Sequence, residues 1–354
     1  MSWIALAEHD GRRLSRRAFA HRAPGSELRR GSLVIETRLP TGDRPEPMIY
    51  FDGKGPPRCH LSVQSVPGGG LTFVMAQGQE TLHRTFNHAD TGRADLLRLT
   101  CSWDVDAGLG RVALECEQDK VMIAPLAVTV PPRLADLRVL FADRSASYLA
   151  PEVSFIALSD AVEPVGPMPT LAPDTPIATP EGFRAAGALR RGDTVVTAGG
   201  EIAPVLHRLD RTVPAMGRFR PIRLRAPYFG LMRDIVIAPS QRLVVRGSEV
   251  EYLFNHEAAM IEAGHLAGGK AVRPVQTGPL VTYTQLLLPA HEALDAGGAA
   301  VESLYVGRLR RKRDALEASI LAGLDRQTLP EHGKSVHPVL RAFDARILAE
   351  QRAA

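Results

Sequence analysis

Alternation of apolar and polar residues at period two, broken by turn clusters, constrains this chain more than any other feature. Leu97, Leu99, Cys101 and Trp103 alternate with Arg98, Thr100 and Ser102; after the turn Asp104–Gly110, Val112, Leu114 and Cys116 alternate with Arg111, Ala113 and Glu115. Only a strand puts successive side chains on opposite faces, so this stretch predicts a half-buried hairpin. Comparable runs cover 33–39, 48–52, 60–66, 71–76, 121–130, 137–141 and 153–158. Strand signals repeated at this spacing predict a two-sheet, jelly-roll-like β-sandwich over residues 1–161.

The segment 162–169, Val-Glu-Pro-Val-Gly-Pro-Met-Pro, holds three prolines and a glycine and is expected to be an extended linker. Residues 170–307 again favour strands, at 194–197, 221–224, 235–237, 243–245, 251–254 and 281–288. Past Gly307 the period changes. Leu316, Ile320 and Leu324 recur every four residues with Gly323 and Pro330 as stop signals, and Leu340–Ala353 reads as a second helix, so residues 308–354 are expected to form a helical extension. The first of these helices opens on Arg308, Arg310, Arg311, Lys312 and Arg313, against the preference of a helix N-terminus for acids. The fold expected is mainly β, with a short helical tail.

Composition removes several function classes. With 354 residues the chain exceeds one core, and 45% hydrophobic with 23% charged side chains is a globular balance. No run approaches a membrane span, and Met1–Ala7 meets charge at Glu8 before a signal sequence could form, so residence in the cytoplasm or export by a signal-independent route is expected. Three cysteines, Cys59, Cys101 and Cys116, are too few and odd in number for a disulfide scaffold. Residues 1–165 carry 19 basic and 20 acidic side chains, and residues 166–354 carry 24 and 19. This excess is modest, and nucleic acid is not implied as a partner. His256-Glu257 and His291-Glu292 lack the second histidine of a zinc-protease helix, because Met260 and Asp295 stand four positions on. His83 and His88 have no third ligand nearby, so neither a metal nor another cofactor is expected.

The informative constellation lies in the second half. Pro173, Thr175, Ile177, Thr179, Pro180, Gly182, Leu189, Arg191, Gly192, Asp193 and Val195 follow one another in a fixed order. A second block is Ile237-Ala238-Pro239-Ser240-Gln241-Arg242-Leu243-Val244-Val245, and a third joins Tyr283–Leu288, His291-Glu292, Gly297 and Glu302-Ser303. Over about 140 residues this pattern resembles the hedgehog/intein, or Hint, domain family. The resemblance implies an opening nucleophile that attacks the carbonyl before it, and a histidine that protonates the departing nitrogen, a role worth ~10²–10⁴-fold.

Thr170 falls on the nucleophile position and Gln241 on the histidine position, so both chemical groups have been replaced. A glutamine cannot release a proton near neutrality. His291 is the candidate substitute donor, Asp193 reads as a turn residue, and Thr175, Thr179, Gly192, Arg242 and Glu302 complete the family-matched positions. The resemblance implies a Hint frame without self-cleavage, acting as a structural or binding module. The alternative is autoprocessing, an intramolecular acyl shift that cleaves before Thr170 and frees the sandwich. The first half resembles laminin-G or concanavalin-like sandwiches, which implies glycan or protein binding. Tyr50, Phe51, His60 and Trp103 are its candidate ligand contacts.

Overall fold

The computed structural model describes all residues except 1, 10–12, 16–18, 20, 24, 41, 43, 54, 56–57, 68, 88–95, 117–119, 129, 144, 268 and 354. The chain divides into two compact units, Met1–Gly166 and Pro167–Ala354.

The first unit is a sandwich of two antiparallel sheets. One has seven strands in the order Val121–Pro125, Leu109–Glu115, Leu96–Asp104, Arg30–Arg38, Val153–Ser159, Trp3–Glu8 and Arg13–Ser15. The other has five, ordered Ser147–Leu149, Pro47–Asp52, Cys59–Ser65, Gly70–Gln77 and Glu80–Asn87. The hairpin read from alternation is present, with Leu99 opposite Leu114 and Cys101 opposite Val112. Ile35, Leu99, Cys101 and Leu114 of one sheet share a core with Ile49, Phe51, Leu61, Val63 and Phe73 of the other. All three cysteines are free and buried in this unit. Burial pushes the thiols of Cys59 and Cys101 up to about 12, which leaves them protonated and inert at neutral pH.

Two runs expected as strands are helices. Residues 137–141 lie in the helix Leu134–Ala142, where Leu134, Leu137, Leu140 and Phe141 bury one face and Arg133 pairs with Asp136 at 2.7 Å. Residues 251–254 lie in the helix Ser248–Phe254, closed by Asn255 in the left-handed conformation. Both runs are shorter than the length at which period two separates from period 3.6.

The stretch expected as a linker is tied down at its start. Glu163 and Val165 are buried; Glu163 N donates to Ser32 Oγ at 2.8 Å, Ser159 Oγ to Glu163 Oε1 at 2.7 Å, and Gly166 N to Glu115 Oε1 at 3.0 Å. Proline removes donors but leaves the neighbouring amides free to dock, so richness in proline did not make the segment loose.

The second unit is built from small sheets. Two hairpins, 176–185 and 194–204, precede a long antiparallel pair in which His207–Pro214 faces Leu280–Leu287 over eight positions. Ile222–Leu224 joins Ile235–Ile237 to Val272–Pro274, and a four-stranded sheet runs Ala258–Glu262, Arg242–Arg246, Ala299–Glu302, Ala293–Ala296. Its core gathers Leu171, Ile177, Val195, Ile237, Leu243, Leu286 and Val301. The helix expected from Arg308 to Leu324 is only Arg313–Ala318, because Lys312 before it and Ser319 after it (ψ 173°) are extended; Leu316, Leu321 and Leu329 then pack in a separate cluster with Leu304 and Val306. The final helix spans Ala342–Ala353. No helix among the described residues is long and apolar enough to cross a membrane.

Candidate functional site

Backbone pairing decides where Thr170 sits. Leu171 bridges two strands: its N donates to Thr284 O at 3.0 Å, Thr284 N returns a bond at 2.7 Å, and on the other flank Ala172 N reaches Val236 O and Ala238 N reaches Thr170 O. Thr170 is thereby held beside Gln285, the residue after Thr284. Gln241 follows a tight turn, its N on Ala238 O at 3.0 Å, which brings its side chain to the same point.

The three side chains form a buried knot. Gln241 Nε2 donates to Arg242 O (2.8 Å) and Glu302 O (3.2 Å), two atoms that can only accept, so its Oε1 must face Thr170. Thr170 Oγ1 then donates to Gln241 Oε1 at 2.6 Å. Gln285 Nε2 lies 3.2 Å from Thr170 Oγ1 and 3.0 Å from Glu302 O, leaving Gln285 Oε1 buried without a partner. Thr170, Gln241 and Gln285 are 7%, 1% and 3% exposed, so water does not substitute freely for these bonds. No acid or base hydrogen-bonds to the Thr170 hydroxyl among the described residues; both of its partners are amides.

A second layer of ionisable groups begins at Glu302. Its carboxylate lies 3.1 Å from Arg242 Nη1 and 3.0 Å from His291 Nε2, the latter poorly aligned for a hydrogen bond. His291 Nδ1 accepts the Val336 N–H at 3.0 Å, which fixes the proton on Nε2. The ring packs 4.8 Å from Tyr305 and 5.7 Å from His332, centroid to centroid. None of its contacts reaches Thr170 or Gln241. His332, which sequence reasoning missed, accepts from Val306 N through Nδ1 (3.2 Å) and faces Leu288 O through Nε2 (3.2 Å).

The remaining family-matched positions serve turns and packing. Thr179 Oγ1 donates to Gly182 O at 2.7 Å across its hairpin. Gly192 has φ 91°, a value that favours glycine, and Asp193 Oδ2 accepts from Arg190 N at 2.9 Å. That backbone bond, with Arg184 alongside at 3.1 Å, holds the Asp193 carboxyl below its usual range. Thr175 is buried with its hydroxyl unpartnered. In the sandwich, Phe51 and Trp103 are core residues, 1% exposed each, with Trp103 Nε1 donating to Leu28 O at 2.6 Å; neither is available to a ligand. His88 lies outside the described residues, and no metal-sized cluster of His, Cys, Asp or Glu occurs among those described.

Comparison with known proteins bears on the second unit directly. Residues 169–308 match the family model described as "Hint domain". This segment is a Hint domain. Solved structures similar to it include the bacterial intein-like domain from Clostridium thermocellum, 15% identical, covering 38% of this chain and 99% of that one at a TM-score of 0.29. The Msm DnaB1 intein splicing domain bound with zinc is 19% identical over 38% of this chain and 98% of that one, at 0.25. The first half is similar to the CBM40 of Ruminococcus gnavus IT-sialidase bound to alpha2,6 sialyllactose, 14% identical over 46% of this chain and 92% of that one, at 0.29. No curated protein matches the chain. Within the Hint domain, Gln285 is the site residue that sequence reasoning missed. It sits inside the Tyr283–Leu288 block, where a lone amide between Thr284 and Leu286 was the available signal.

Proposed function

We propose that the Hint domain of this chain has ceased to cut the backbone and serves as a structural frame for a binding sandwich. One observation carries the reading: the Thr170 hydroxyl gives its proton to a glutamine oxygen at 2.6 Å and accepts from a second glutamine at 3.2 Å. Attack on the Pro169 carbonyl would require a group that takes the hydroxyl proton and another that delivers one to the departing nitrogen. Neither amide does so near neutrality. Forgoing acid–base assistance alone costs ~10²–10⁴-fold per group. His291 is committed to Val336 and Glu302, which supports a structural role for it.

The test is intact mass of the full chain held at neutral pH for a day, with and without a thiol. A single unchanged species is expected; a fragment ending at Pro169 defeats the reading and establishes autoprocessing instead.

For the sandwich, the binding role rests on its five-stranded sheet. Tyr148 stands opposite Tyr50 on neighbouring strands, 48% and 43% exposed. The Tyr50 hydroxyl bonds Asp52, which also pairs with His60 at 2.7 Å, and the Tyr50 and His60 rings meet edge to face at 5.4 Å. Aromatic faces beside fixed polar groups suit the alternating apolar and hydroxylated surfaces of a sugar. A glycan array probed with the full chain should give hits that Tyr50→Ala abolishes, and blank arrays would leave the scaffold role alone.

A further inference from the structure

The basic run Arg308–Arg313 has no part in the Thr170 cluster, and all of it but Arg313 precedes the helix Arg313–Ala318. Two of its arginines, Arg310 and Arg311, line a cavity of about 540 Å³ with Arg326, Gln327 and Glu331. Three guanidinium charges against one carboxylate leave this lining at +2.

The guanidiniums are held in place. Arg311 grips Glu331 as a fork, with Nε 2.9 Å from both carboxylate oxygens and Nη2 2.6 Å from Oε2. Arg310 sets Nε on Glu331 Oε1 at 2.6 Å and Nη1 on Leu329 O at 2.9 Å. Arg326 Nε donates to Arg310 O at 2.5 Å. Hydrogen bonds from Arg311 and then Arg310 hold the Glu331 carboxyl down at about 2, so it stays ionised at any working pH.

Several donors remain unspent. Arg310 Nη2, Arg311 Nη1 and both terminal nitrogens of Arg326 bond to nothing among the described residues. Exposed ion pairs contribute about 0–1 kcal/mol each, so stability is a weak reason to pair two arginines with one acid and fix a third against the Arg310 carbonyl. Preorganisation is a stronger one: rotamer entropy already lost to Glu331 is not lost again when a ligand arrives.

We propose that this cleft binds a small phosphomonoester dianion, with Arg311 and Arg326 as donors to its oxygens and Glu331 as the positioning residue. Planar guanidinium forks match phosphate oxygens in pairs, and the charge of +2 matches a group carrying about −1.5 to −2 at pH 7. The volume falls within the ~300–1,000 Å³ of small-molecule sites, larger than a bare phosphate requires.

Calorimetry on the full chain at low salt, with glucose 6-phosphate as the probe, tests this. One-to-one binding is expected, weakened about tenfold or more by Arg326→Ala and by Arg311→Ala, and weakened again at pH 5, where the probe is a monoanion. Glu331→Gln is the sharper variant. It raises the net charge of the lining yet releases both guanidiniums, so weaker binding supports a built site, whereas tighter binding means charge alone and overturns the proposal. Absence of heat at millimolar probe also overturns it, as does equal affinity in Arg326→Ala. Circular dichroism melts of each variant check that the fold is retained.

Discussion

At residue scale the informative contrast is between Gln241 and Gln285, two buried amides sharing one threonine. Replacing Gln241 by leucine removes the acceptor of the Thr170 proton, and a buried donor left unpaired costs about 1–3 kcal/mol. Replacing Gln285 by leucine removes donors whose acceptors keep other roles. Glu302 O retains Gln241 Nε2 at 3.2 Å, and the unpartnered Gln285 Oε1 disappears with the side chain. Denaturant melts should therefore show Gln241→Leu clearly destabilised and Gln285→Leu within about 1 kcal/mol of the parent; the reverse order would mean that the amide orientations are inverted.

The same knot predicts a chemical outcome. The double change Thr170→Cys with Gln241→His supplies a thiol and a titratable donor at two positions whose present side chains meet at 2.6 Å, and intact mass should reveal cleavage before residue 170 that neither single variant gives. Thr170 and Gln241 were legible in the sequence through motif spacing. Gln285 was not, because polar residues in strands are common and only the fold brings strand 280–287 against residue 170.

At the scale of elements, reading succeeded where alternation was long and failed where it was short. Seven residues of alternating pattern, Leu97–Trp103, fixed the strand Leu96–Asp104 and its partner, whereas five residues at 137–141 and four at 251–254 fit either period. For 137–141 the signal lay just outside the run, in Leu134 and in the Arg133–Asp136 pair three apart.

Gly297-Gly298 joins Ala293–Ala296 to Ala299–Glu302, with φ of 65° and 100°, the mirror-image geometry that two-residue hairpin loops demand. A Cβ on Gly298 would stand 2.2 Å from Gly230 O, so Gly298→Ala should lower the melting temperature by several degrees. Gly199 is the control. A Cβ there meets nothing closer than Thr197 Oγ1 at 3.6 Å, and Gly199→Ala should be neutral or stabilising by up to about 1 kcal/mol. Equal effects at the two positions would show that backbone conformation at 298 does not matter.

At the scale of the whole molecule, acid sensitivity should gather in the second unit. His207, His265, His332 and His337 are all lowered from their ordinary value of 6.5, first by burial, and His265 falls to about 4 with Arg218 and Arg346 adding to the effect. The unfolded chain binds protons on these rings as pH drops below about 6.5 while the folded chain does not, so stability is full above that value and declines toward pH 4. Melting temperatures measured from pH 8 to 4 should be level to about pH 7 and then fall, with a shallower fall in His265→Gln. Glu331, held down at about 2, works in a separate window, losing its contribution only below its ordinary 4.5. A flat profile between pH 6.5 and 5 would contradict the lowered values of these four rings.

The leucine that follows Thr170 has one more consequence. Because residue 171 is stitched to Thr284 on one flank while its neighbours are stitched to 236 and 238 on the other, the main chain at position 170 is seated before any side chain is chosen. A chemist can therefore install a selenol, an amine or an unnatural warhead at that seat and interpret what happens as reactivity, with little of the response owed to rearrangement of the surrounding backbone.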